Sequence, residues 1–293
     1  MKYAIIAPAA AGTSADPAWI SGFAKHVEAC GFESLVAIEH AVVMSQYSSV
    51  YPYASSRKME LPDDCDIPDP LELLAFLAGQ TTTLGLATGV LVLPNHHPVV
   101  LAKRLATLDR LSNGRLRVGI GMGWMKEEIE ACGAPFEARG RRADEQLEVL
   151  AKLWAETGET GVDHKGEFFS FQSAMCYPKP VRAGGVPIHV GGHTKAAARR
   201  AGRYGAGLQP LGVAGDQLAA LVALMHEEAT RADRDPAELE LSLGHMVARI
   251  DPDRAGRLAE QGADRILLAP TPTADLDQAM DELSACAQRL GLS

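Results

Sequence analysis

Basic residues are outnumbered by acidic ones, 28 to 37, leaving a formal charge of -9 on this 293-residue chain. That balance excludes a broad polyanion-binding surface, and nucleic acid is not an expected partner. The one dense arginine cluster, Arg139, Arg141 and Arg142, is flanked by Glu137, Asp144 and Glu145. No apolar run approaches the length of a membrane span, so no membrane partner is expected. The five cysteines, at 30, 65, 132, 176 and 286, form no Cys-x-x-Cys pair and no zinc spacing with histidine. Reduced thiols in a cytoplasmic protein are the expectation, and no metal. His96-His97 has the look of a ligand pair, but sequence neighbours seldom point together and no carboxylate stands at ligand spacing. There is no His-Glu-x-x-His, no Gly-x-Ser-x-Gly elbow, and no dinucleotide glycine signature after the first apolar run. The segment Met1 to Gly12 slightly resembles a signal peptide. Its apolar run Tyr3–Ala7 is too short and stops at Pro8, so it reads as a strand.

What is present is a rhythm. The unit of short apolar run, loop and amphipathic helix occurs eight times. Strand 1 is Tyr3–Ala7, and helix 1 starts at Asp16-Pro17 and stops at Gly31. Strand 2, Ser34–Ile38, ends at Glu39-His40 and is followed by a polar loop from Ala41 to Pro68 carrying Tyr47, Tyr51 and Tyr53. A loop that long suggests an active-site cover or a mobile segment. Helix 2 opens at Asp69-Pro70-Leu71-Glu72, where Asp69 caps and Glu72 is placed for a capping box. Strand 3 (Leu84–Leu93) and strand 4 (Leu116–Gly121) flank helix 3. A short helical piece, Lys126–Ala131, precedes a longer one, Arg139–Ala155. An excursion from Gly158 to Tyr177 suggests a small hairpin. Strands 5 to 8 fall at Pro187–Val190, Gly207–Leu211, within Glu240–Ile250, and at Arg265–Leu268, each with a helix after it. Continuous apolar strands are those of a parallel sheet buried on both faces. A doubly wound open sheet shows the same alternation. The count of eight favours an α/β fold with a single (β/α)8 TIM barrel over residues 1–293, with insertions after strand 2 and before strand 5.

A barrel places its chemistry on the loops at the carboxyl ends of its strands. After strand 5, Gly191 and Gly192 bare their backbone and Thr194 begins a helix, which makes a phosphate seat needing no lysine. The plainer reading of this loop alone is a tight turn with a threonine cap. Around strand 4, Gly119, Gly121 and Gly123 alternate. Glycines on one side of a strand leave space for a flat ring, and Trp124 offers an aromatic wall. Gly89-Val90 in strand 3 is a third such point. His40 stands directly after strand 2, placed to handle a proton beside a cofactor. Glu127, Glu128 and Glu130 read as a solvated helix face from which one can reach the pocket. Asp109-Arg110 reads as structural charge pairing.

Together these segments resemble the luciferase-like flavin-barrel superfamily, especially the branch that uses the deazaflavin coenzyme F420. The carriers are Ile38-Glu39-His40, Ala106 through Arg115, Gly119 through Trp124, Phe136 through Arg142, and Val190 through Thr194. The resemblance implies an F420-dependent oxidoreductase, with an FMN-dependent monooxygenase or a non-catalytic flavin carrier as alternatives. It implies a ring backed by a strand-3 bulge at Gly89-Val90, often with a non-proline cis peptide, and a phosphate against Gly191, Gly192 and Thr194. It places His40 near the reactive carbon. Members that oxidise sugar phosphates carry a glutamate where this chain has Trp124, and a tryptophan where it has Met44. Sugar-phosphate dehydrogenation is therefore not expected. Among small organic substrates the tryptophan-lined pocket suits a larger or more hydrophobic one. The resemblance also implies a homodimer paired through helices near the second and third units.

Overall fold

A computed structural model describes residues 1–155 and 157–292. In chain order its strands are β1 (Lys2–Ile6), β2 (Ser34–Ala37), β3 (Gly85–Val92), β4 (Leu116–Gly121), β5 (Val162–Lys165), β6 (Ser170–Ala174), β7 (Ile188–Gly191), β8 (Gly207–Gln209), β9 (Glu240–Met246) and β10 (Arg265–Ala269). Eight of them close into a parallel barrel in the order β1-β10-β9-β8-β7-β4-β3-β2, while β5 and β6 form a separate antiparallel hairpin. The helices are α1 (Pro17–Ala29), α2 (Pro70–Ala78), α3 (Pro98–Leu111), α4 (Lys126–Ala131), α5 (Arg139–Ala155), α6 (Lys195–Tyr204), α7 (Gly215–Arg231), α8 (Pro252–Glu260) and α9 (Leu276–Leu290). The barrel is thus an α/β (β/α)8 TIM barrel, with the hairpin inside the excursion before the fifth barrel strand. The sixth barrel strand ends at Gln209, short of the predicted Leu211.

Helix starts follow their capping residues. Asp16 Oδ1 accepts from Ala18 N and Trp19 N at 2.8 and 3.0 Å, and Asp69 does the same for Leu71 and Glu72. The capping box at Glu72 does not close. The guanidinium of Arg104 on α3 draws the Glu72 carboxylate to 2.8 Å and also reaches Asp69. Asp109 and Arg110 do serve structure, but through backbone partners and not through an ion pair among the described residues. Asp109 accepts from Val181 N (2.7 Å) and Arg110 donates to Lys179 O (2.6 Å), so both pin the approach to β7 along α3.

The main core lies between barrel and helices, around Phe23, Leu35, Leu74, Leu86, Leu105 and Leu150. Inside the barrel, Ala4, Val36, Ala87 and Leu267 pack together. Below them, toward the amino ends of the strands, the interior is charged. Arg265 bonds Glu33 (2.9 Å) and Glu240 (2.7 Å), and Arg117 bonds Ser34 (3.1 Å). His189, buried beside them, is pushed down to about 3 by burial and by the charges of Arg117 and Arg265. This closed polar end leaves the carboxyl-end mouth for function. Among the described residues no helix is long and apolar enough to cross a membrane.

Candidate active site

The chain leaves β2 through two consecutive side chains that each join a carboxylate to an imidazole. Glu39 is buried; its Oε1 meets His96 Nε2 at 2.7 Å and its Oε2 accepts from Val92 N. His40 Nδ1 meets Glu128 Oε2 at 3.0 Å, and Glu128 Oε1 accepts from Ala41 N (2.6 Å) and Asn95 Nδ2 (3.4 Å). Glu128 is only 2% exposed, so it does not belong to the solvated face expected of its helix. Ile129 packs beside Val92 and Ala134, and that packing turns the Glu128 edge of α4 inward. His96 and His97 diverge, as His97 sets its ring edge against Phe169 at 5.2 Å.

The glycines of β4 and β7 do not leave vacant slots, which corrects the expectation of bare backbone on one side of the strand. The register of β3 against β4 shifts between Thr88 and Leu91, and the Gly89–Val90 peptide is cis. Val90 thereby lies across two neighbouring strands. A Cβ on Gly121 would sit 2.5 Å from Val90 Cγ2, and one on Gly191 would sit 2.6 Å from Val90 Cγ1. Gly119 instead meets Thr88 O, and Gly89 meets Val36 and the Gln209 amide. Gly123 lies beyond the strand end with φ +73°, where a Cβ would strike Ile129 and Val92. The half-exposed Val90 is the floor of the mouth, and the glycines make room for it.

The β7–α6 loop is also partly committed. Gly192 N donates to Gln209 O at 3.1 Å, so that amide is not free for an anion. Thr194 caps α6 by accepting from Ala197 N at 3.2 Å. The first-turn N–H groups of α6 have no acceptor within the helix, and the Thr194 hydroxyl keeps its own proton to donate. At Gly192, φ is +114° and a Cβ would meet only Ala197 at 3.5 Å, so the loop remains open on that side.

Over the mouth, the insertion after β2 lays down a row of rings. Trp124 contacts His40, Tyr47 and Tyr51 edge to face, with centroids 6.1, 5.5 and 5.1 Å apart. Tyr51 continues to Tyr53 (5.4 Å), and Tyr53 to His193 (5.7 Å). Glu127 fastens the insertion, accepting from the amides and hydroxyls of Ser48 and Ser49. The Ser49 hydroxyl foremost, together with Ser48, holds the Glu127 carboxyl down at about 2.

Two tetherings escaped the sequence. Nothing in the run Glu127–Glu128 distinguishes the acid that clasps a loop from the acid that holds a histidine. Nor does any local pattern couple Gln209 to the glycines of β3 and β4. These residues suit a planar ring with polar edges. Val90 supplies an apolar floor, and Asn95 Oδ1, His193 Nδ1 and Gln209 Oε1 are buried without a protein partner among the described residues.

Comparisons with known proteins bear on the fold and the family. An uncharacterised protein of Mycobacterium tuberculosis is 32% identical over 248 residues, 84% of this chain and 82% of its own length. The monooxygenase RslO1 from Streptomyces bottropensis superposes with a TM-score of 0.75 at 21% identity, covering 99% of this chain and 98% of that one. An F420-dependent secondary alcohol dehydrogenase, solved with an F420-acetone adduct, gives 0.77 at 17% identity with the same coverage. At such identities the two structures show a common fold. The sequence model of the luciferase-like monooxygenases matches residues 1–291, and the chain belongs to that family.

Proposed function

We propose that the mouth is a redox site in which coenzyme F420 lies against Val90, with a small apolar substrate between it and His40 and Trp124. The observation that carries this reading is the joint placement of a half-exposed Val90 floor over Gly121 and Gly191 and a carboxylate-held His40 after β2. The coenzyme supplies hydride acceptance or donation when bound. The chain supplies the rest. Val90 gives an apolar support, while the Thr194 hydroxyl and the first-turn amides of α6, reached past the open side of Gly192 next to Gly191, present an anion-tolerant edge for the coenzyme's phosphate. His40 holds or takes a proton at Nε2. Trp124 and the tyrosines of the insertion keep water from the reacting face. Exposed Leu211, after β8, and Met246, at the end of β9, add apolar surface suited to a hydrophobic substrate.

Separate titrations with F420 and with FMN, read by fluorescence quenching, test the cofactor. FMN binding with oxygen consumption favours a flavin monooxygenase, the second reading that membership of the luciferase-like monooxygenase family leaves. Turnover is then sought with a panel of enones, alcohols and aldehydes. His40→Ala is expected to bind the cofactor and lose turnover; undiminished turnover sinks the role given to His40. Tight cofactor binding with no redox turnover under any reductant supports a carrier. We also propose cytoplasmic residence, and a homodimer formed through the outer face of α2 and α3, where Phe76 and Val100 are exposed. Light scattering of the purified protein gives its mass in solution.

A further inference from the structure

His40 offers two nitrogens, and only one is engaged. Glu128 meets Nδ1 at 3.0 Å, and no protein group among the described residues bonds Nε2. The other Glu128 oxygen faces two groups that can only donate, the Ala41 amide at 2.6 Å and the Asn95 Nδ2 at 3.4 Å. That oxygen is therefore an acceptor. The Ala41 amide belongs to the peptide that follows His40, so a single buried carboxylate grips both the ring and the backbone of this histidine. A carboxylate can only accept, so with Oε1 taken by these two donors the proton between Oε2 and the ring lies on Nδ1.

We infer that Glu128 is a positioning residue that fixes His40 as its Nδ1–H tautomer, so that Nε2 faces the mouth as a proton acceptor. An unconstrained imidazole favours the other tautomer. The neighbouring pair supplies an internal contrast. His96 meets Glu39 through Nε2, at 2.7 Å, and Glu39 also accepts from Val92 N. His96 is therefore held with its proton on Nε2. Two histidines of one site are set in opposite tautomers by two buried carboxylates. Only the purpose of the free His40 nitrogen rests on the proposed redox reading; the tautomer does not.

Nitrogen-15 correlation spectra of the ring nitrogens, recorded on the full chain above the range in which histidine titrates, test this directly. The wild type is expected to show a protonated Nδ1 and bare Nε2 at His40, and the reverse at His96. In Glu128→Gln, the amide oxygen is claimed by the Ala41 and Asn95 donors, which turns the amide N–H₂ toward His40. The His40 pattern should then reverse, while His96 keeps its own. Glu130→Gln, on the exposed side of α4, should change neither. Where turnover is found, Glu128→Gln should lower kcat and displace its pH profile, with cofactor affinity within about twofold of wild type. A wild-type His40 protonated on Nε2 overturns the inference, whether or not the variant folds. A correct tautomer in a protein that binds neither F420 nor FMN would instead sink the redox reading alone.

Discussion

Val90 stands where a side chain on Gly121 would have to be, its Cγ2 only 2.5 Å from the position of that Cβ. A glycine-rich strand end is usually read as room for a ligand. Here the room is taken by a neighbouring strand's valine. The site is built in two layers, glycines beneath Val90 and Val90 beneath the mouth.

That relationship gives a compensation test. Gly121→Ala should destabilise the protein by about 1–3 kcal/mol, the usual cost of overpacking. Val90→Ala removes both Cγ atoms, so the double variant should recover much of the loss, a coupling expected of residues in contact. Chemical denaturation of the two single variants and the double variant measures it. Simple additivity would mean that Val90 is not what excludes a side chain at 121.

Trp124 joins His40 and two tyrosines of the insertion, and each edge-to-face pair contributes roughly 0.5–1.5 kcal/mol. Trp124→Ala should loosen the segment 41–68 more than it lowers global stability. Limited proteolysis with chymotrypsin should cut after Tyr47, Tyr51 or Tyr53 several times faster than in wild type. Unchanged cleavage would show that the ring row does not hold the insertion.

The Glu127 clasp carries a pH dependence. Its carboxyl lies at about 2 in the folded protein, below its ordinary range near ~4.3. A depressed folded value means the contribution is complete above the ordinary range and is lost as pH falls toward 2. Hydrogen exchange at Ser48 and Ser49, corrected for intrinsic rates, should rise as pH falls from 5 toward 2. Glu127→Gln should show several-fold faster exchange already at neutral pH, and little further change on acidification.

His189 works in a different window. Its folded value is about 3, because burial and the charges of Arg117 and Arg265 disfavour the imidazolium. The unfolded chain takes up this proton below ~6.5 while the folded chain does not, so stability is full above that pH and falls as pH drops toward 3. Urea denaturation should show wild type losing roughly 1–2 kcal/mol between pH 6.5 and 5 that His189→Gln does not lose. Parallel curves for the two proteins would mean that His189 titrates alike in both states.

The sequence by itself determined the barrel, because most of its strands are local apolar runs and several helix starts carry their own signal, such as Asp16-Pro17 or Asp69-Pro70. It also marked His40, Trp124 and the two glycine loops as neighbours of the mouth, since strand ends in a barrel share one rim. Only the tertiary structure decided what those residues touch. Glu128 and Glu127 are adjacent acids, and their roles part because packing of Ile129 against Val92 and Ala134 turns one inward and leaves the other to the insertion. Glu72 leaves its capping box for Arg104 because the guanidinium comes from another helix. Val90 fills the space over Gly121 and Gly191 because the register of β3 slips against β4. Spacing along a chain records periodicity, whereas a side chain's partner depends on which elements the closed barrel brings within a few ångströms.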